Sequence, residues 1–160
     1  MLDNANEIIE DFLWLGNSIE AKDIEDLKKK GIKKILSIWD RKGPNYKDNE
    51  FIHKKVKIAD VYTCNIIKHF GECLNFIKGE EKVLVHCLQG SSRSASFVVA
   101  YIMWSQKKTF TEAYDFVKSK RFINPNEGFQ EQLKMFGKLL VENNYDLDKI
   151  NFKKLKWLLN

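Results

Sequence analysis

Apolar positions recur along the first half of the chain in short runs broken by turns and helical stretches. Phe12 to Leu15 is one such run, ending in Gly16-Asn17-Ser18, a turn whose serine is placed to cap a helix. The helix that follows carries Ile24 and Leu27. It stops near Gly31, because lysines fill its last turn and glycine tolerates the left-handed conformation that closes helices. Lys34 to Trp39 reads as a buried strand, Arg41 to Glu50 as a charged loop around Gly43-Pro44-Asn45, and Phe51 to Ile58 as the next strand. From Thr63 onward, Ile66, Ile67, Phe70, Leu74 and Ile77 recur at helical spacing until Gly79. Val83 to Val85 is a buried strand and Cys87 to Arg93 a polar loop. Ala95 to Trp104 is apolar nearly all round, as a buried helix is.

The second half reads as helices alone. Thr109 and Glu112 have capping-box spacing ahead of Ala113, Phe116 and Val117. Asn124-Pro125 supplies a cap and a first-turn proline for a helix whose inner face is Phe129, Leu133, Phe136 and Leu140. This order predicts an α/β fold: a central, mostly parallel sheet flanked by helices, with a helical C-terminal layer. The composition shifts after Asn143-Asn144, which separates a domain at residues 1–145 from a basic amphipathic tail at 146–160. In the tail, Phe152, Leu155, Leu158 and Leu159 share one helical face while Lys149, Lys153, Lys154 and Lys156 supply charge. A helix docked on its own domain is the expectation, with peripheral membrane or partner binding as the other use of that stripe.

Composition narrows the function classes. The chain has 160 residues, 44% hydrophobic and 31% charged, which fits one folded domain. Its longest clearly apolar run, Phe97 to Trp104, is far short of the roughly 20 residues a transmembrane helix needs. Met1-Leu2-Asp3-Asn4 followed by Glu7, Glu10 and Asp11 does not read as a secretory signal. Cys64, Cys73 and Cys87 are odd in number and lack metal-ligand spacing, so a reducing cytoplasmic or nuclear setting and no bound zinc are expected. A net charge of +5 favours anionic partners without singling out nucleic acid, and none is expected. Cys73 reads as packing, and whether Cys64 or Cys73 can trap an oxidised Cys87 as a disulfide stays open, because sequence carries no distances. His53 and His69 read as surface residues of a strand and a helix. The lysines at 28–30, 33–34 and 54–57 read as solvated faces.

The chemistry sits between the buried strand and the buried helix. Backbone N–H groups of a short loop at a helix N-terminus converge on one point, and the helix dipole adds positive potential there, so the loop suits a phosphate. Leu88, Gln89, Gly90, Ser91 and Ser92 build that loop, with Gly90 for the tight turn. Cys87 at its start feels the same field, which favours thiolate over thiol and makes it a nucleophile. Arg93, six positions later, can return across the ring and grip two phosphate oxygens in its planar fork.

The run His86-Cys87-Leu88-Gln89-Gly90-Ser91-Ser92-Arg93-Ser94 resembles the signature of cysteine-dependent protein tyrosine phosphatases, and especially their dual-specificity branch. Leu13-Trp14-Leu15-Gly16 resembles that branch's opening strand. Arg121-Phe122-Ile123-Asn124-Pro125-Asn126-Glu127-Gly128-Phe129 with Gln132-Leu133 resembles its late helix. The resemblance implies that residues 1–145 form the catalytic domain. It also implies that Cys87 attacks phosphorus, Arg93 holds the phosphoryl group, Ser94 donates a hydrogen bond to the departing thiolate, and His86 orients Cys87. Asp60, in Lys57-Ile58-Ala59-Asp60-Val61, occupies the context of the general acid that protonates the leaving oxygen and later activates water. Its plain alternative is a turn cap before Thr63, and Asp40 and Asp48 are the other carboxylates to consider.

The implied activity is metal-free and cofactor-free hydrolysis of phosphotyrosine and phosphoserine or phosphothreonine in phosphorylated proteins. No segment resembles the loop that deepens the pocket of strictly tyrosine-specific relatives. A phosphoinositide or RNA 5′-phosphatase is the rival enzyme, disfavoured by the uncharged Leu88, Gln89, Ser91 and Ser92. A non-catalytic phosphoprotein-binding module is the rival outside enzymes, disfavoured by the presence together of Cys87, Arg93 and Asp60.

Overall fold

Period-two alternation along short strands builds the central sheet in the computed structural model, which describes residues 4–158. The strands are β1 (Asn6–Ile9), β2 (Leu13–Gly16), β3 (Lys34–Ile38), β4 (Ile52–Val56) and β5 (Val83–His86). They lie in the order β1-β2-β5-β3-β4, with β1 antiparallel to β2 and the other pairings parallel. The helices are α1 (Ile24–Lys29), α2 (Phe70–Ile77), α3 (Arg93–Ser105), α4 (Phe110–Lys120) and α5 (Glu127–Glu142).

Alternate strand residues face opposite layers. Leu13, Leu15, Leu36, Ile38, Val83 and Val85 enter the larger core with the inner faces of α2 to α5. Trp14, Ile35 and Leu84 enter a smaller core with Leu27 of α1 and with Ala21 and Ile32. The same alternation turns Ser37 and His86 toward the smaller-core side at the ends of β3 and β5. All four parallel strands finish at one edge, where the following loops carry Asp40, Asp60 and Cys87. A crevice at the carboxyl ends of parallel strands is the usual ligand site of such sheets.

The local details differ from the sequence reading at several points. Strand β1 was not expected: of its residues only Ile8 is buried, so it shows no alternation. Ser18 is not a helix cap. Asn17 Oδ1 accepts from the amides of Ile19 and Glu20, opening a 3₁₀ turn at Glu20–Lys22, and Asp23 caps α1. The helix expected from Thr63 starts only at Phe70, after a 3₁₀ turn at Ile67–His69. The buried Gln132 explains the delay, since its Oε1 accepts from the amides of Ile66 and Ile67 at 2.8 and 3.0 Å and its Nε2 donates to the Cys64 carbonyl. The cap of α5 is Asn126, not Asn124, so Pro125 precedes the helix instead of opening it. The Thr109–Glu112 capping box is present in both directions.

The tail folds differently from the expected helix. Residues 146–158 form 3₁₀ turns at Leu147–Lys149 and Phe152–Lys154, with extended backbone at Ile150 and Leu155. Leu147, Ile150 and Phe152 are all buried, which one α-helix could not achieve, because residues two apart lie about 200° apart around it. Phe152 sits on Gly71 of α2, where an added Cβ would come within 2.5 Å of its ring, and its ring centroid is 6.1 Å from that of Phe136. Asn65 Nδ2 donates to the Leu155 carbonyl, and Trp157 Nε1 to that of Tyr62. Leu159 of the expected stripe, Asn160 and Met1 to Asp3 lie outside the described residues. Among the described residues, no helix is long and apolar enough to cross a membrane.

Candidate active site

Strand β5 runs between β2 and β3, so Cys87 leaves the middle of the sheet at the point where α3 begins six residues later. The loop joining them has its carbonyls held from outside. Ser18 N donates to Leu88 O at 3.1 Å, Arg121 Nη2 to Gln89 O at 3.1 Å, Arg121 Nε to Gly90 O at 3.0 Å, and Asn124 N to Ser91 O at 2.7 Å. A trans peptide sets each carbonyl opposite the next N–H. The amides of Gln89, Gly90, Ser91 and Ser92 are therefore turned inward, and that of Gly90 reaches Cys87 Sγ at 3.2 Å. Gly90 has φ +71°, and a Cβ there would lie 2.5 Å from the Gly16 carbonyl oxygen, so no other residue fits without moving the backbone.

Cys87 is 2% exposed, and its sulfur also accepts from Ser94 Oγ at 3.0 Å. Two donors at the N-terminus of a helix suit a thiolate. Arg93 Nη1 donates to Asp40 Oδ1 at 2.7 Å and to the Ile58 carbonyl at 3.1 Å, and its guanidinium lies 5.9 Å from the centre of the Trp39 ring. The hydrogen bond from Arg93 holds the Asp40 carboxyl below the usual carboxylate range. An acid so readily ionised is poorly suited to donating a proton, so Asp40 serves Arg93. Asp48 is exposed and stands outside the cavity.

Asp60 Oδ1 accepts from Ser92 Oγ at 2.7 Å and from Asn126 Nδ2 at 3.0 Å. Ser92 in turn accepts from the Asn126 amide at 3.1 Å. Asp60, Cys87, Ser92, Arg93 and Asp40 line one cavity of about 320 Å³. A larger hollow of about 730 Å³ lies between α2 and the tail, but none of these residues reaches it. This cavity thus brings together a cysteine sulfur, inward amides, a guanidinium and a carboxylate. That set can bind a phosphate monoester, attack phosphorus and protonate the leaving oxygen.

His86 is fully buried behind Cys87. Its Nδ1 lies 3.3 Å from the Cys87 carbonyl oxygen and its Nε2 2.6 Å from Ser37 Oγ. Burial pushes its pKa down to about 4, so the ring is neutral near pH 7. His53, read from sequence as a plain surface residue, approaches the same Ser37 Oγ with Nε2 at 2.7 Å. His69 pairs with Glu72 at 2.8 Å. All three cysteines are free. Cys64 and Cys73 do not line the cavity, and burial pushes the Cys73 thiol far up.

Four contributors went unrecognised in the sequence: Asp40 as partner of Arg93, Asn126 as partner of Asp60, Ser37 behind His86, and Arg121 behind the loop. Arg121 also donates to Asn6 Oδ1 at 2.9 Å and pairs with Glu20 at 3.4 Å. Arg121 and Asn126 belong to the run around Pro125 that carried the resemblance, which was the available signal.

The family model described as dual specificity phosphatase, catalytic domain, matches residues 13–138. Dual specificity protein phosphatase 15 of Homo sapiens is 38% identical over 130 residues, covering 78% of this chain and 43% of that protein. Dual specificity protein phosphatase 1 of Arabidopsis thaliana is 38% identical over 136 residues, covering 82% of this chain and 68% of its own length. The chain therefore spans about half to two thirds of such curated relatives. The crystal structure of DUSP15 superposes with a TM-score of 0.83 at 32% identity, covering 92% of this chain and 97% of that one. That of the human tyrosine phosphatase-like serine/threonine/tyrosine-interacting protein gives 0.81 at 35% identity, covering 86% and 98%. With the match running through every residue that lines the cavity, the chain belongs to the dual-specificity phosphatase catalytic-domain family.

Proposed function

We propose that the protein hydrolyses phosphotyrosine and phosphoserine or phosphothreonine in phosphorylated proteins through a cysteinyl-phosphate intermediate, in the cytoplasm or nucleus. The observation that carries this reading is the convergence of Cys87 Sγ, Arg93, Asp60 and the loop amides on one cavity. The phosphoryl group sits against the amides of Leu88 to Ser92 and the fork of Arg93. Sγ attacks phosphorus while the leaving oxygen takes the proton of Asp60, which is held against the loop by Ser92 and Asn126. Water then attacks the cysteinyl phosphate, Asp60 accepts its proton, and the Ser94 hydroxyl donates to the departing thiolate. Metals and cofactors take no part in these steps.

The test is phosphate release from an aryl phosphate and from phosphopeptides in EDTA. Vanadate should inhibit, and Cys87→Ser should abolish turnover while still binding phosphopeptide. Arg93→Lys should be severely impaired, because it keeps charge and loses the two-pronged geometry. Turnover that requires a divalent metal, or that survives in Cys87→Ser, overturns the reading. Faster release from phosphoinositides or RNA 5′ ends than from phosphopeptides would reassign the substrate, and binding without turnover in the wild type would make the protein a phosphoprotein-binding module.

A further inference from the structure

We propose that Ser37 and His53 are positioning residues that act on the nucleophile through His86. Three contacts form a line from the protein surface to Cys87: His53 Nε2 to Ser37 Oγ at 2.7 Å, Ser37 Oγ to His86 Nε2 at 2.6 Å, and His86 Nδ1 to the Cys87 carbonyl at 3.3 Å. The strand register makes the line: Ser37 of β3 is paired with His86 of β5, and His53 of β4 is paired with Ile35, two residues from Ser37 on the same face.

The direction of each hydrogen bond follows from the last one. A carbonyl oxygen only accepts, so His86 Nδ1 carries the proton. A neutral His86 then has a lone pair at Nε2, which takes the hydroxyl proton of Ser37. With its proton committed, Ser37 Oγ can only accept from His53, whose Nε2 must carry hydrogen. The chain runs one way, from His53 to Ser37 to His86 to the Cys87 carbonyl, and it fixes the tautomers of both rings. Every X–H bond points its positive end toward Cys87, and the last one anchors the peptide from which Sγ projects. Such alignment favours negative charge on the sulfur.

Ser37 and His86 are fully buried, whereas His53 is exposed on its strand. The Tyr46 ring meets His53 edge-on at 4.9 Å, and Lys55 on the same strand is the cation that acts on both rings. Trp39 lies near His86, at 6.1 Å between ring centres, and the guanidinium of Arg93, paired with Asp40, lies 5.9 Å from the centre of the Trp39 ring. Protonation of His53 at Nδ1 leaves the Nε2–H donor in place, so the chain persists in both charge states of that residue.

This inference rests on Cys87 as the nucleophile. Its test therefore uses iodoacetamide alkylation of Cys87 in the intact protein, followed by mass spectrometry from pH 5 to 9, which needs no turnover and no assumed substrate. Ser37→Ala and His53→Phe should slow alkylation at pH 6 by about three- to tenfold while leaving the high-pH plateau at the wild-type level. His53→Gln, whose amide can still donate to Ser37, should stay within about twofold of wild type at every pH. Profiles of Ser37→Ala and His53→Phe that superimpose on wild type overturn the proposal, as does a uniform loss across all pH values, which would mark a merely structural role. Wild-type Cys87 that reacts no faster than Cys64 removes the nucleophile reading and the relay with it.

Discussion

Mild acid should destabilise this protein before its carboxylates are protonated, because His86 is buried as a neutral ring. Its pKa is about 4 in the folded chain against an ordinary 6.5. Between those values the unfolded chain binds a proton that the folded chain refuses. The stabilisation is therefore complete above pH 6.5 and is lost as the pH falls through 4. The separation of 2.5 units corresponds to about 3 to 4 kcal/mol at most, at about 1.4 kcal/mol per unit. His53, exposed as a residue but with its ring partly covered against Ser37 and Tyr46, is also shifted down, by that desolvation first and Lys55 second, and adds to the same slope. Asp40 and Glu72 have lowered values too, so their contributions are lost mainly at lower pH. Urea unfolding at pH 7, 6, 5 and 4.5 measures the effect. Wild type should lose roughly 2 to 3 kcal/mol across that range, a large part of a typical domain's stability. His86→Asn, whatever its stability at pH 7, should show a slope flatter by up to one proton. Equal slopes in the two proteins would refute the assignment of a buried neutral histidine.

Asp60→Asn should slow phosphoenzyme formation from phosphotyrosine peptides by roughly 10²- to 10⁴-fold and an activated aryl phosphate much less, as read by rapid quench; equal slowing would remove Asp60 from the acid role. Phe152→Ala should cost about 3 to 5 kcal/mol, because the ring fills the space above Gly71 beside Phe136; an unchanged melting temperature would mean that the tail adds nothing to the core. Arg121→Lys should lower kcat/KM by roughly tenfold or more with little change in fold by circular dichroism, since a single ammonium lacks the fork that reaches the Gln89 and Gly90 carbonyls and, from a third nitrogen, Asn6 and Leu15.

The cysteine loop was legible because its pattern is contiguous: Cys87, the turn glycine and Arg93 fall within seven consecutive positions, and flanking apolar runs identify the strand and helix. Short continuous apolar runs likewise revealed β2, β3 and β5, whose residues face two cores. β1 gave no such signal, since Ile8 is its one buried residue. What joins distant segments stayed hidden. Alternation gives the face of Ser37 but not the register that brings it to His86. Asn124 and Asn126 are both good caps on paper, and only the folded chain shows that it is Asn126 whose Oδ1 accepts from the Phe129 amide at 3.0 Å. Asp40 looked like any loop carboxylate until Arg93 was found against it. The tail misled because Phe152, Leu155 and Leu158 do fall on one helical face, while the residues that bury, Leu147, Ile150 and Phe152, follow 3₁₀ and extended geometry.

The outward tethering of the loop carbonyls separates two jobs within a few residues. Because Ser18, Arg121 and Asn124 hold the backbone from behind, the shape of the anion site does not depend on which side chains stand at positions 88 and 89. Leu88 and Gln89 are exposed beside the cavity mouth. Their side chains can be exchanged to alter which peptide sequences are welcomed, while the machinery that handles phosphorus keeps its geometry. A library randomised at these two positions should therefore redistribute preference among phosphopeptides and leave hydrolysis of a small aryl phosphate nearly constant.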